Sequence, residues 1–442
     1  MASLLPRLLK WLLLGLTLTV LALPVLQTQF DLVQPLSADL DGYAEPAPEP
    51  EFSWDSVLVN RYQPALERYA EEHLGFRETL IRLRNQLAYS LFDVAKANQV
   101  LVGRDEVLLD ETAIRSYLGQ DFKGRDSLLL NVRRFRTVQD TLARRGILLV
   151  FAIAPDKANF YPEHFPAYFR GLSRRESNYQ AYAKEMRRQG VNLLDLAACF
   201  QQWKDTASYP LFPRGGIHWS GYGITLAADT LVRYLEQRGH LDLPDFRLDG
   251  ADVTDEPQNT DNDVARTMNL LREPPAYRMA YPRLNFLPLR PGQEQPRLLV
   301  AGDSFNYSLF NFYPYYQKLS GDKFQFWYYS REVHYGTPVS RPNESRVSQL
   351  DRKAELLAQR IILVMYTQHN MSTFDSGFSA EAYKLLCPYS PAAEARIKRI
   401  EDALQRSPVM QDTLRQRAGR FKLAYPAVLR DEAAKRYELE QL

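Results

Sequence analysis

Leu298, Leu299, Val300 and Ala301 run into Gly302-Asp303-Ser304-Phe305, an apolar stretch that ends on a glycine, an acid and a hydroxyl. The run is apolar enough for a strand covered on both faces, and Gly302 permits a sharp turn where a side chain would clash. Such a segment delivers Ser304 to the rim of a sheet. A serine hydroxyl is a weak nucleophile at neutral pH until a base takes its proton, so Ser304 needs a histidine. The chain has six. His73 lies in a charged helical pattern, His164 follows Tyr161-Pro162-Glu163, His240 ends a helix beside Gly239, and His334 and His369 follow strand-like runs. His218 is set apart in Phe212-Pro213-Arg214-Gly215-Gly216-Ile217-His218-Trp219-Ser220, a glycine-bearing loop that opens into the helical pattern Tyr222–Leu235. A loop at a helix start is a usual position for a catalytic group. The pair suits acyl transfer or ester hydrolysis. The plainer readings are a helix cap for Ser304 and a satisfied buried histidine for His218.

With their surroundings these two segments resemble the SGNH hydrolase-like domain of the alginate O-acetyltransferase (AlgX/AlgJ-like) family of bacterial polysaccharide acetylation systems. In that family a Gly-Asp-Ser-Phe motif carries the nucleophile and an earlier His-Trp motif the base, matched here by Gly302–Phe305 and His218-Trp219. Further matching stretches are Glu72-His73-Leu74-Gly75-Phe76-Arg77, Val102-Gly103-Arg104-Asp105, and Ala154-Pro155-Asp156-Lys157 with Tyr161-Pro162-Glu163. The likeness spans residues 55 to 380 or so. It implies acetyl transfer onto a cell-envelope or exopolysaccharide through an acetyl-serine at Ser304, with His218 as general base and acid. A membrane-bound O-acyltransferase partner, a polysaccharide acceptor and no cofactor are implied with it.

One position departs from the family. An aspartate usually stands two residues before the histidine, and this chain has Gly216 there. An orienting carboxylate fixes the imidazole tautomer and stabilises the imidazolium, and its loss in a serine protease lowers turnover about 10⁴-fold. Glu332, Asp195 and Asp205 are candidates for the missing acid, and a backbone carbonyl orienting a Ser–His dyad is the alternative. Asp303 adjoins the serine too closely to stand behind the imidazole and is expected to shape the turn. Candidate oxyanion or substrate donors are Asn306 and Tyr307, close to Ser304, then Tyr366 at a strand end, and Arg331, Arg341 and Asn370, which suit sugar and carboxylate oxygens. Two other functions stay open: a carbohydrate acetyl-esterase using the same site, and a non-catalytic polysaccharide-binding or assembly subunit lacking the usual aspartate.

The elements that must hold these residues alternate. Strand patterns at Ile147–Ile153, Asn192–Leu196, Arg297–Ala301, Phe324–Tyr329 and Ile361–Tyr366 are separated by helical patterns at Asp126–Arg145, Arg174–Gln189, Tyr222–Gln237 and Ser348–Gln359. Alternation of this kind predicts an α/β fold, a mostly parallel sheet of about five strands with helices on both faces. The resemblance makes it SGNH hydrolase-like, that is, flavodoxin-like. Ligands of open parallel sheets bind beyond the carboxyl ends of the strands, where Ser304 falls. Asp55–Phe92 reads as two helices broken near Gly75. Asp245–Gln295 reads as a long irregular excursion over the site edge, since loops of that length are usually functional. Within it, Thr260-Asp261-Asn262-Asp263 lacks the glycine and distal glutamate of an EF-hand and reads as a solvated turn.

Composition narrows the rest. Among 442 residues, 45% are hydrophobic and the formal net charge is only +2, so no basic field points to nucleic acid. The 26 tyrosines and five tryptophans suit a sugar-facing surface, though core packing accounts for most of them. Arg7 and Lys10 precede the uncharged run Trp11–Leu26. Basic residues before an apolar run place the N-terminus in the cytoplasm and the body across the membrane, which with the resemblance to bacterial acetylation systems is expected to be the periplasmic side of the inner membrane. Residues 1–30 are therefore a membrane anchor or a signal segment, the uncleaved anchor being favoured because no small-x-small cleavage site follows. Residues 31–55 form a proline-rich acidic linker, 56–379 the catalytic-type domain, and 380–442 a charged helical extension. Cys199 and Cys387 leave pairing open, and their spacing offers no metal site.

Overall fold

In the computed structural model, which describes residues 4–30, 33, 40–42, 46–335 and 346–442, six strands make one sheet. They are β1 (Leu148–Ala154), β2 (Leu193–Asp195), β3 (Leu298–Gly302), β4 (Phe324–Tyr328), β5 (Glu332–Tyr335) and β6 (Ile361–Thr367), in the order β2-β1-β6-β3-β4-β5. All neighbours are parallel except β4 and β5. Counting the parallel strands from β3, and passing from the end of the chain back to its start, gives the doubly wound order 2-1-3-4-5. The switch point of that order falls between β3 and β6. Ser304 follows directly on β3.

Both faces are covered, which is why β1 and β6 are buried along their whole lengths and read as unbroken apolar runs. One layer holds α3 (Leu196–Trp203), α4 (Gly221–Gly239) and α5 (Tyr315–Ser320), packed on Leu363, Met365, Val300 and Val150. The other holds α1 (Arg125–Ala143), α2 (Asn178–Gln189) and α6 (Phe378–Leu386), packed on Ile362, Val364, Tyr366 and Leu299. Successive residues of β6 thus serve opposite cores, the two-residue period of a strand. After them α7 (Pro391–Arg406), α8 (Pro408–Phe421) and α9 (Tyr425–Glu440) enclose a core of their own around Ile397, Leu404, Leu414 and Val428. Glu438 of α9 accepts two hydrogen bonds from buried Arg134 of α1 at 2.7 and 2.8 Å.

The five expected parallel strands are present, and several expectations are corrected around them. The sheet gains a sixth strand, β5, which returns antiparallel after Tyr329 and Ser330 turn the chain with φ of 47° and 56°. Four residues that include Glu332 and His334 are too short and polar to announce a strand. The helix expected over 348–359 shrinks to Arg352–Leu357, capped by the Asp351 carboxylate on the Ala354 N–H. The excursion 245–295 is not irregular: Phe246–Thr254 pairs antiparallel with Met279–Phe286 across a bulge between Leu248 and Ala251. Its exposed arginines and aspartates, and Pro282 within a strand, mask that pairing in the sequence. The turn expected to be solvated at 260–263 is largely interior, with Asp261 only 4% exposed. Cys199 and Cys387 are both free thiols.

The chain divides into two compact units. Met1–Leu108, Arg214–Gly216 and Asn262–Ala276 form one, and Leu109–Pro213, Ile217–Asp261 and Tyr277–Leu442 the other, which contains the sheet. The first unit contains the apolar helix Leu4–Phe30, helices Tyr62–Glu72 and Arg77–Phe92 with the expected break at Gly75 between them, and a small core of Tyr89, Val102, Leu108 and Met268. Within Leu4–Phe30, residues Leu9–Phe30 are long and apolar enough to cross a membrane. Residues 31–32, 34–39 and 43–45 of the linker and Arg341 lie outside the described residues.

Candidate functional site

Gly302 closes β3 where only a glycine fits. A Cβ there would run into the Met365 carbonyl and the Asn306 amide. Asp303 then caps the 3-10 helix Ser304–Leu309, its Oδ1 accepting from the Phe305 N–H at 3.2 Å. Its Oδ2 accepts from the Thr367 N–H at 2.8 Å, the Thr367 hydroxyl at 2.7 Å and the Asn370 amide at 2.8 Å. A fully buried carboxylate therefore clasps the serine turn to the end of β6 across the switch point. Ser304, half-buried, occupies the first position of the 3-10 helix, where a backbone N–H has no partner within the helix.

His218 reaches the same rim from the loop that opens α4, in the same core layer as Phe305 of the serine's helix. Ser220, two residues after the histidine, caps α4 through the Gly223 N–H, which sets the helix start at Gly221. Trp219 is fully buried and donates from Nε1 to the Ser308 hydroxyl at 2.7 Å, and that hydroxyl donates to the Phe305 carbonyl. The indole thus fastens the His218 loop to the serine's own helix. With Phe305 packed 4.7 Å from the imidazole, ring centre to ring centre, His218 Nε2 stands 3.1 Å from Ser304 Oγ. For Nε2 to accept the serine proton, the ring proton must sit on Nδ1.

Ser304 and His218 open on a cleft of about 310 Å³ that is also lined by Thr260, Tyr307, Ser308, Asn311 and Phe312. That is the lower end of the volume a small ligand site occupies. Burial, with Tyr328 and Glu332 adding to it, pushes the Tyr307 phenol up to about 12, so it keeps its proton and can donate. Its oxygen lies 3.1 Å from His334 Nε2, and burial holds that imidazole below its ordinary value despite Glu332. Among the described residues no group of three or more His, Cys, Asp or Glu is arranged to hold a metal ion.

The other candidates fall in different places. Asn306 is buried and turns its amide to the Asp303 and Met365 carbonyls while accepting from Tyr316, so both its functions are engaged within the fold. Tyr366 points into the layer of α1 and α2, and the next residue, Thr367, faces the serine turn instead, a one-residue slip that reverses the face of a strand. Asn370 stands on Asp303, and Arg331 is exposed in the turn before β5. Asp195 caps α3 on the Ala198 N–H and pairs with Arg187. It ends a strand three places from β3, a lateral distance of about 14 Å at normal strand spacing. Asp205 is exposed in the turn after α3, and Glu332 is exposed with one oxygen 3.9 Å from His334 Nε2. Asn311 and Phe312 lie on an irregular segment with no pattern of its own in the sequence, and Thr260 stands there only within the stretch expected to be a solvated turn. Asp261, beside Thr260, was read as solvated; it is buried and accepts from the Tyr281 hydroxyl at 2.6 Å.

A doubly wound parallel sheet with a Ser–His pair on its carboxyl edge defines an SGNH hydrolase-like α/β protein. The family model described as SGNH hydrolase-like domain, acetyltransferase AlgX matches residues 100–327, a little over half of the chain, and the protein belongs to that family. It is similar to the curated "Probable alginate O-acetylase AlgJ" of Pseudomonas aeruginosa, 30% identical over 192 residues, which are 43% of this chain and 46% of the relative. The same-named protein of Azotobacter vinelandii is 28% identical over 187 residues, 42% and 46% of the two chains. The chain therefore matches about half the length of these curated relatives. Among solved structures, the O-acetyltransferase domain of Pseudomonas putida AlgJ aligns with a TM-score of 0.42 at 19% identity, covering 64% of this chain and 98% of that one. Pseudomonas aeruginosa AlgX aligns with a TM-score of 0.43 at 15% identity, covering 68% and 69%.

Proposed function

We propose that this protein is an O-acetyltransferase that moves an acetyl group onto hydroxyls of a cell-envelope or exopolysaccharide through an acetyl-serine at Ser304. The observation that carries the reading is the 3.1 Å approach of His218 Nε2 to Ser304 Oγ at the sheet's switch point. His218 takes the Oγ proton as Oγ bonds to the acetyl carbon of the donor; the donor's leaving group departs with that proton from Nε2. A sugar hydroxyl then gives its proton to Nε2 and attacks the acetyl-serine, and Oγ leaves with the proton. The Ser304 backbone N–H and the Tyr307 phenol are the donors we assign to the developing oxyanion and the bound acyl group. Membership in an acetyltransferase family supports transfer. We also infer that Leu9–Phe30 anchors the body on the periplasmic side of the inner membrane, where a membrane-bound O-acyltransferase would supply the acetyl group.

For the carboxylate that orients His218 we propose Asp261 in place of the absent aspartate at Gly216. Its neighbour Thr260 lines the cleft together with His218. Its carboxylate is buried on the Tyr281 hydroxyl, and Tyr281 adjoins Pro282, which with Tyr313 flanks Gly221, three residues after His218. An amide there would keep the shape and lose the charge that stabilises an imidazolium, so Asp261→Asn is expected to lower acyl-enzyme formation by about 10³–10⁴.

The experiment is acetyl trapping. Full-length protein given an activated acetyl ester should gain one acetyl group on Ser304, seen by peptide mass spectrometry, and pass it to an added oligosaccharide. Ser304→Ala should do neither. Equal transfer by both proteins would end the nucleophile assignment, and an unchanged rate in Asp261→Asn would end the assignment of the acid. Gly216 favours the second reading, a polysaccharide-binding subunit. Saccharide binding with no trapped acetyl group would establish that reading instead.

A further inference from the structure

Helix Arg77–Phe92 is inside out. Its leucines at 80, 83, 87 and 91 follow helical spacing along one face and are 46, 44, 50 and 67% exposed. The opposite face, turned to the protein, carries Asn85 and Tyr89, which are 2% and 8% exposed. Both are held by hydrogen bonds: Asn85 Nδ2 donates to the Met268 carbonyl at 2.8 Å and the Tyr89 hydroxyl to Glu106 at 2.8 Å. An amphipathic helix on water would do the reverse. Leu80, Leu83 and Leu87 border an open apolar groove of about 480 Å³, rimmed by Arg84 and Lys96 and ended by Phe92 and Val94.

The position of the helix start suggests what covers it. The loop before it is clamped to the last turn of the apolar helix: the Gly75 N–H donates to the Thr28 hydroxyl at 2.7 Å, and that hydroxyl reaches the His73 carbonyl at 3.2 Å. The contact is close enough that a Cβ on Gly75 would meet the Pro24 carbonyl and the Gln27 side chain. Leu9–Phe30 has 22 residues, about 33 Å of helix, the thickness of a bilayer's hydrocarbon core. Residues 24–28 therefore lie where the span leaves the hydrocarbon, and helix 77–92 begins two residues beyond the clamp.

We propose that the leucine face of helix 77–92 lies in the interfacial layer of the membrane that Leu9–Phe30 crosses, its leucines among the upper acyl chains and Arg84 and Lys96 at the lipid phosphates. Apolar side chains beneath a cationic rim are how an interfacial helix meets a phospholipid surface. The inference rests on the anchor reading of Leu9–Phe30. It makes the N-terminal unit a two-point membrane attachment.

Depth-dependent quenching tests it. Full-length protein with Cys199 and Cys387 replaced by serine would be reconstituted into phosphatidylethanolamine–phosphatidylglycerol vesicles. It would carry a bimane label at Leu83→Cys or Leu87→Cys, with labels at Leu16→Cys for the anchor and at exposed Arg406→Cys for water. Lipids brominated near the headgroup should quench positions 83 and 87 at least threefold more than 406, while aqueous iodide quenches 406 at least threefold more than either. If position 16 is quenched by deeply brominated lipid but 83 and 87 behave like 406, the interfacial inference is overturned and the anchor stands. Labels at 83 and 87 shielded from both quenchers would mean a protein partner covers the face, which also overturns it. An unquenched label at 16 would overturn the anchor reading and the inference with it.

Discussion

Asp303→Asn tests the clasp that holds the serine turn, because it removes the charge and one oxygen while keeping the volume. The carboxylate now accepts four hydrogen bonds, three on Oδ2 from Thr367 and Asn370 and one on Oδ1 from Phe305. Hydrogen bonds to a charged group contribute about 1.5–3 kcal/mol and neutral ones about 0.5–1.5. If the asparagine oxygen takes the Oδ2 position, three bonds weaken by about 1 kcal/mol each, and the new NH₂ group faces the Phe305 N–H, orphaning it at about 1 kcal/mol more. A buried charge is removed at the same time, which offsets part of that loss and leaves about 2–3 kcal/mol of local destabilisation. At about 1.4 kcal/mol per factor of ten, the amide protons of Thr367 and Phe305 should exchange with solvent about 30- to 150-fold faster than in the parent, in native-state hydrogen exchange read by mass spectrometry. Amides of α2 should be unaffected. Acetyl-serine formation should slow, with its dependence on pH keeping the same inflection, since Asp303 faces β6 and not the imidazole. Unchanged exchange at both amides would refute the clasp. An inflection displaced by about one pH unit would refute the assignment of Asp303 to the turn alone.

Two further outcomes follow from buried charge. Glu438→Gln leaves the Arg134 guanidinium buried without its counter-charge, where it is 11% exposed on the side chain, and should cost about 3 kcal/mol; proteolysis should then release α9 earlier, and Arg134→Met with Glu438→Leu should restore most of the loss. A change under about 1 kcal/mol would show the pair to be dispensable. The second concerns His334, whose imidazole burial keeps below the ordinary 6.5. The unfolded chain takes up that proton near pH 6.5 and the folded chain only at lower pH, so stability should fall as pH drops below about 6.5 and the loss should be complete below the folded value. Thermal unfolding followed from pH 7.5 to 5 should show this slope in the parent and a shallower one in His334→Gln, and equal slopes would refute it.

Periodicity and punctuation in the chain were enough for the scaffold. Five parallel strands, the break at Gly75, the serine at a strand end and the histidine at a helix start all rest on local signals: apolar runs, glycine where a side chain would collide, and a serine cap two residues past the histidine. What lay beyond reach were contacts between segments far apart in the chain. Thr367 rather than Tyr366 reaches the serine turn because the register of β6 against β3 decides which face each residue takes. Asp261 is interior because the strands 246–254 and 279–286 pair and bring the Tyr281 hydroxyl to it. Asn306, adjacent in sequence to the cleft residue Tyr307, turns its amide into the fold because the 3-10 helix sends neighbours in different directions. Sequence alone determined which residues are able to do acyl chemistry and the strand that presents the nucleophile. Tertiary structure decided that Ser304 and His218, 86 positions apart, meet at 3.1 Å, because only the sheet's switch point and the Trp219–Ser308 bond bring their two loops to one rim.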